Sequence, residues 1–137
     1  MDKIWKILVV EDELGIAKMV EKRLKSEGYA VTLAENGEDA LKKAEAFDPD
    51  IVLLDVMLPK LSGYDVCRRL KQNRQRVVPV ILLSAMAQEA DIKRGFECGA
   101  DAYVRKPFRT HELLSKIREF IGSVESDKEK GETLSHQ

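Results

Sequence analysis

Five polar residues with chemical potential stand at or just beyond the carboxyl ends of four apolar runs. They are an adjacent acid pair, a third acid, a hydroxyl and an ammonium: Glu11, Asp12, Asp55, Ser84 and Lys106. The carboxyl ends of parallel strands open into one ligand crevice, so we expect these groups to meet there. Three neighbouring carboxylates repel one another unless a cation joins them. Oxygen ligands without histidine or cysteine favour Mg²⁺, with Mn²⁺ as the other option.

The same groups could perform a phosphoryl transfer. A metal ion, an ammonium and a hydroxyl can together bind the three oxygens of a phosphoryl group. The nucleophile would then be a carboxylate, and Asp55 is the candidate because it stands alone after the central hydrophobic run. Taken singly, Asp12 could cap a helix, Ser84 could lie in a turn and Lys106 could be a solvated loop residue. Their joint occurrence at four strand ends favours the chemical interpretation.

Apolar strands and amphipathic helices alternate five times along the chain. The second helix is expected to begin at Glu38 after a turn at Asn36-Gly37, and the last helix to be capped by Thr110. Near-continuous apolar strands between amphipathic helices predict an α/β fold, a doubly wound parallel sheet with helices on both faces. The predicted strands are residues 5–10, 29–34, 51–54, 77–83 and 102–104.

The composition is that of one ordinary globular domain of 137 residues. A net charge of −1 provides no bulk attraction to nucleic acid or to an anionic membrane, and no apolar stretch is long enough to cross one. Two cysteines without a secretory leader indicate reduced thiols and a cytoplasmic location. We expect the domain to span residues 1–122, and the polar residues 123–137 to form a disordered tail or the start of a linker.

The segments that carry these groups resemble the receiver domains of response regulators in two-component, His-Asp phosphorelay signalling. The matching stretches are residues 7–13, 53–59 with Gly63, 83–85 and 99–108, and the resemblance runs from about residue 6 to residue 121. It implies a flavodoxin-like sheet of five parallel strands in the order 2-1-3-4-5, with five helices.

The resemblance also implies a role for each polar residue. Asp55 would accept a phosphoryl group from a sensor histidine kinase or a histidine phosphotransfer protein. Glu11 and Asp12 would hold Mg²⁺ together with Asp55, while Lys106 would pair with the phosphate and Ser84 would bond one of its oxygens. The protein would be primarily a signalling switch that catalyses only its own phosphorylation and slow dephosphorylation.

Three further positions follow from the resemblance. The backbone carbonyl of Met57 would complete the protein ligands of the metal, Tyr103 would turn inward as Ser84 engages the phosphate, and the Lys106–Pro107 peptide bond would be cis. The fourth helix, fifth strand and fifth helix would report the change to an output domain or a downstream protein. Direct nucleic-acid binding and membrane insertion are not expected.

Four positions depart from the family pattern or qualify it. Met57 and Met86 are apolar at two positions that tune hydrolysis of the acyl phosphate in this family, which predicts slow self-dephosphorylation. Ala102 and Ile92 replace an acid and a basic residue that help winged-helix regulators to dimerise, which puts that dimer in doubt. The contacts that could substitute would come from Asp101, Arg94 and Lys116.

Three other functions compete with that of a phosphoacceptor. A haloacid-dehalogenase-like phosphatase needs a second acid two residues after the nucleophile, where this chain has Met57. A flavin carrier needs a phosphate loop after the first strand, where Glu11, Asp12 and Glu13 would repel the flavin phosphate. The runner-up is a phosphorylation-independent pseudo-receiver that acts as a protein interaction module.

Overall fold

Five parallel strands form a single sheet in the order β2-β1-β3-β4-β5 in a computed structural model that describes residues 3–72 and 77–121. This is the predicted flavodoxin-like order, and the prediction is confirmed. The strands are β1 (Lys6–Val10), β2 (Ala30–Ala34), β3 (Ile51–Asp55), β4 (Val80–Ser84) and β5 (Ala102–Arg105).

Five helices cover both faces of the sheet. They are α1 (Leu14–Ser26), α2 (Gly37–Phe47), α3 (Gly63–Lys71), α4 (Glu89–Glu97) and a fifth, α5, which comprises residues 110–121. Successive strand residues point to opposite faces. In β1, Leu8 and Val10 join a buried cluster with residues of α2 and α3, whereas Ile7 and Val9 join one with α1 and α5. Because both faces are buried, the central strands are continuously apolar.

Three element boundaries differ from the predicted ones, two of them at helix N-termini and one at a proline. The pair Asn36-Gly37 is not a separate turn: Asn36 is the N-cap of α2 and accepts a hydrogen bond from the Asp39 amide at 2.9 Å. Strand β4 begins at Val80 rather than at residue 77, because Pro79 has no N–H to donate to the ladder. Thr110 is already helical, so its predicted capping role is wrong by one residue.

Two predictions concern parts of the chain beyond this sheet. The expected domain boundary at residue 122 and the tail predicted at residues 123–137 lie outside the described residues. Within residues 3–72 and 77–121, no helix has both the length and the apolar character needed to cross a membrane.

Candidate functional site

The strand register brings the predicted site residues to one edge of the sheet. Glu11 directly follows β1, Asp55 is the last residue of β3 and Ser84 is the last residue of β4. In the ladders Val10 pairs with Leu54, and Ser84 pairs with Arg105, the residue before Lys106. Four neighbouring strands therefore end at one level, and the side chains that follow them converge there.

Three carboxylates form the floor of this crevice. Glu11, Asp12 and Asp55 each contribute an oxygen, and these oxygens lie within 4.8 Å of one another. Glu11 and Asp55 are buried, whereas Asp12 is exposed. Oε2 of Glu11 is buried and has no hydrogen-bond partner among the described residues. An unpartnered carboxylate oxygen in an all-oxygen cluster fits a hard divalent cation, which would supply the missing contact.

Lys106 places a positive charge against two of these acids. Its Nζ lies 2.5 Å from Oε1 of Glu11 and 3.1 Å from Oδ2 of Asp55. Burial, followed by the interaction with the neighbouring Asp55 carboxyl group, raises the pKa of Glu11 from its ordinary 4.5 to about 8. Burial lowers the pKa of Lys106, but its hydrogen bonds to Glu11 and Asp55 outweigh that effect and leave the pKa raised. The lysine therefore carries its charge in the crevice.

The backbone on either side of the β3–α3 loop holds Asp55 in place. The amide of Met57 donates to Oδ1 of Asp55 at 3.1 Å. A Cβ on Gly63 would lie 2.3 Å from the carbonyl oxygen of Asp55 and 2.6 Å from Cα of Val56. The start of α3 thus packs directly on the backbone of the acid. Gly63 is part of a stretch that matches the family, but the sequence does not indicate this close approach to the Asp55 backbone.

Ser84 is connected to Tyr103 through a single residue of the β4–α4 loop. The buried Oγ of Ser84 accepts a hydrogen bond from the Met86 amide at 3.0 Å, and the carbonyl of Met86 accepts one from the Tyr103 hydroxyl. Tyr103 is half-buried in this position. The Lys106–Pro107 peptide bond is cis, as the resemblance implied.

A family model described as the response regulator receiver domain matches residues 7–118, a span that contains every residue of this crevice. The chain belongs to the response regulator receiver domain family. The matched span contains β2 to β5, all of β1 except Lys6, and most of α5, in agreement with the resemblance.

Relatives and solved structures agree with the family. The alkaline phosphatase synthesis transcriptional regulatory protein PhoP of Bacillus subtilis is 44% identical over 116 residues, which cover 85% of this chain and 48% of that protein. The probable transcriptional regulator ycf27 of Pyropia yezoensis is 47% identical over 116 residues, covering 85% of this chain and 47% of the relative. The receiver therefore spans about half the length of the curated relatives that it matches.

Receiver domains of known structure superpose closely on this chain. The BeF3-activated DrrB receiver domain has a TM-score of 0.80 and 41% identity, covering 88% of this chain and 99% of that one. A CheY-like receiver domain protein from Methanospirillum hungatei has a TM-score of 0.85 and 28% identity, covering 91% of this chain and 99% of the other. These solved receivers therefore share the fold of this chain.

The charged groups considered for substitute dimer contacts each have a partner within the receiver. Oδ2 of Asp101 lies 2.5 Å from Nζ of Lys71 and also accepts from the Val80 amide. The guanidinium of Arg94 lies 4.5 Å from the centroid of the Tyr64 ring. Nζ of Lys116 lies 3.3 Å from a carboxylate oxygen of Glu119. A dimer that used these charges would have to compete with the internal pairs.

Proposed function

We propose that this receiver is a phosphoacceptor and that Asp55 takes a phosphoryl group from a phosphohistidine of a sensor histidine kinase or a histidine phosphotransfer protein. The observation that carries the proposal is the placement of Asp55 between Glu11, Asp12 and Lys106 in a receiver of the response regulator family. A pseudo-receiver would have no need to keep three converging acids and a lysine together.

The transfer would exchange one bond to phosphorus for another. A carboxylate oxygen of Asp55 bonds to phosphorus, the bond from phosphorus to the donor imidazole nitrogen breaks, and that nitrogen keeps the electron pair and takes up a proton. Lys106, already 3.1 Å from Asp55, neutralises charge on the transferred group. The Oγ of Ser84 accepts from the Met86 amide, so its own proton is available for a phosphoryl oxygen.

The charge balance of the crevice supports a requirement for a divalent cation. Three acids face one ammonium, and an incoming phosphoryl group would add further negative charge. Glu11, Asp12, Asp55 and the backbone carbonyl of Met57 would hold Mg²⁺, or Mn²⁺ in its place. Bound Mg²⁺ would supply the positive charge that offsets the phosphoryl oxygens.

The donor must bring an imidazole within bonding distance of Asp55, and it would therefore contact the rim of the crevice. Leu14 at the start of α1 and Met57, two residues after Asp55, follow the crevice acids in the chain and are 61% and 59% exposed. An open cavity of about 380 Å³ adjoins Lys106, and its apolar lining includes Met19 and Phe108. We propose that an apolar patch on the donor protein covers this rim, which would also exclude water from the transfer.

The role of the switch beyond this domain is inferred from its relatives. PhoP and ycf27 are named as transcriptional regulators and are about twice as long as the matched segment. We therefore propose that phosphorylation at Asp55 controls an output domain or a downstream protein through α4, β5 and α5. The location we propose is the cytoplasm.

The test is incubation of the protein with acetyl phosphate and Mg²⁺, followed by intact mass measurement. We expect the mass of one added phosphoryl group, which is absent in EDTA and in Asp55→Ala. Asp65→Asn serves as the matched control, because Asp65 lies on α3 outside the crevice and should leave the adduct intact. Folded protein that gains no adduct from several donors would instead favour the alternative, a phosphorylation-independent interaction module.

A further inference from the structure

Two tyrosines from different elements support α4 from beneath. The ring of Tyr103 in β5 packs against Gly95, since a Cβ on Gly95 would lie 3.0 Å from that ring and 2.8 Å from Leu82. Tyr64, in the first turn of α3, is only 2% exposed and reaches the same helix. We call Tyr64 and Tyr103 the tyrosine pair.

Tyr64 holds α4 by polar contacts at its first and second turns. Its hydroxyl donates to the backbone carbonyl of Asp91 at 3.1 Å, and the guanidinium of Arg94 stacks over its ring. The side chain of Asp91 in turn accepts from the backbone amide of Gln88 at 3.1 Å, which closes the N-terminus of α4. The Tyr64 hydroxyl therefore binds Asp91, the same residue whose side chain caps the start of α4.

Helix α4 has little else that ties it to the sheet. Gly95 is its buried residue, and it has no side chain to contribute to the core. Phe96 on the same helix is 49% exposed. A helix with so few buried apolar contacts depends on specific attachments for its position, and such segments are the ones that shift most easily.

The tyrosine pair contacts α4 at two positions that are one helical turn apart. Tyr64 binds the carbonyl of Asp91, and Tyr103 packs against Gly95, four residues later. Burial raises the pKa of Tyr64, so its hydroxyl stays protonated as a donor to α4. Because Tyr103 donates to the Met86 carbonyl, a change at Ser84 and Met86 alters the position of the Tyr103 ring beneath the helix that Tyr64 also binds.

We propose that Tyr64 is a positioning residue that holds α4 one turn before the contact of that helix with Tyr103, so that a change at Ser84, transmitted by Tyr103, moves α4 together with Tyr64. The proposal rests on the phosphoacceptor function, because phosphorylation of Asp55 supplies the change at Ser84. The path consists of packed side chains and hydrogen bonds between named atoms, and the helix that it acts on is weakly held.

The first test follows the tyrosines directly. The chain has three, Tyr29, Tyr64 and Tyr103, so selective ¹³C labelling of tyrosine rings yields three signals that Tyr→Phe variants assign. BeF₃⁻ with Mg²⁺ replaces the phosphoryl group in a titration of the intact chain. We expect the Tyr64 and Tyr103 signals to shift with one midpoint. Tyr29 packs against the cluster on the opposite face of the sheet, and its signal should stay in place.

The second test removes the hydroxyl group of Tyr64. In Tyr64→Phe the ring still fills its site, but the bond to the Asp91 carbonyl is lost. We expect the BeF₃⁻-dependent shifts of the amides of residues 89–97 to fall by about twofold or more, while the Met86 amide still responds. Tyr29→Phe is the matched control and should preserve both responses. If Tyr64 only filled space, Tyr64→Phe would leave the α4 response unchanged.

The outcomes separate the two proposals. No response at Met86, Tyr103 or any crevice residue would overturn the phosphoacceptor function itself. A response at Met86 and Tyr103 with a static Tyr64 signal would overturn only the positioning role of Tyr64. The wild-type titration decides this even if Tyr64→Phe fails to fold, because Tyr29→Phe and Tyr103→Phe assign two of the three signals and the remaining one belongs to Tyr64.

Discussion

The Nζ of Lys106 lies 3.1 Å from Oδ2 of Asp55, although 51 residues separate the two in sequence. The same nitrogen lies 2.5 Å from Oε1 of Glu11, so one cation joins two buried acids that come from different strands. Without this ammonium the crevice would hold only negative charge. The stability of the metal-free protein should therefore depend on Lys106.

Replacing Lys106 with methionine should destabilise the metal-free protein. We expect Lys106→Met to lower the free energy of unfolding by on the order of 3 kcal/mol, because the buried side chains of Asp55 and Glu11 lose their positively charged partner. Urea denaturation in EDTA measures this. Lys116→Met is the control, since the exposed pair with Glu119 should contribute less than about 0.5 kcal/mol. Equal effects of the two substitutions would contradict the pairing.

The raised pKa of Glu11 should make the metal-free protein less stable as the pH rises. Between the ordinary pKa of 4.5 and the folded pKa of about 8, the folded protein binds a proton at Glu11 that the unfolded chain has lost. The contribution of Glu11 to the free energy of unfolding therefore decreases from pH 5 to pH 8. Glu11→Gln removes this group and with it this loss of stability. The free energy of unfolding of the variant should therefore rise relative to that of the wild type from pH 5 to pH 8.

Denaturation in EDTA at both pH values, for wild type and Glu11→Gln, measures this difference. Saturating Mg²⁺ should reduce it in the wild type, because a metal that binds the ionised carboxyl offsets the cost of ionising it. The same pH dependence in both proteins would show that Glu11 titrates normally. Glu119→Gln, at an exposed position on α5, serves as the control.

Two glycine substitutions should have opposite signs. In Gly63→Ala the new Cβ would collide with the backbone of Asp55 and Val56, which cannot move away as a flexible side chain could. We expect a loss on the order of 3 kcal/mol of unfolding free energy. Gly15→Ala in α1 meets no atom within 4 Å and should stabilise the protein by roughly 0.5 kcal/mol. Thermal denaturation of the two variants provides the comparison.

The lifetime of the acyl phosphate should depend on Met57. This exposed side chain beside Asp55 cannot orient a water molecule by hydrogen bonding, and we predict slow self-dephosphorylation. Met57→Asn adds a hydrogen-bonding group there, and one such bond in the transition state would accelerate hydrolysis by roughly tenfold. Met57→Leu, which stays apolar, should keep the wild-type rate. Loss of the phosphoryl adduct in Mg²⁺, followed by intact mass, distinguishes the two variants.

Much of the fold and of the crevice follows from local pattern. Continuous apolar strands between amphipathic helices predict a parallel sheet, and the polar residues that end those strands must share one edge. Boundaries were less predictable, because Asn36 serves equally well in a turn or as an N-cap, and only its bond to Asp39 decides between them. Pro79 carries a clear signal, since it has no amide to donate to a ladder.

Side-chain partners across long sequence separations were beyond sequence reasoning. Tyr64 is unremarkable as one apolar position of an amphipathic helix. Its hydroxyl bond to Asp91 and its stacking with Arg94 depend on how α3 and α4 pack together. The close approach of Gly63 to Asp55 likewise exists only once the loop is folded.

The pattern along the chain predicts the chemistry, because strand ends in a parallel sheet converge wherever the helices lie. Three acids, a hydroxyl and an ammonium at those ends predict a phosphoacceptor crevice before any contact is known. Which charges pair follows from the folded packing alone, since Lys106 meets Glu11 across 95 residues. The packing also sets how α4 is held, because a helix without a buried side chain of its own takes its position from the residues that pack beneath it.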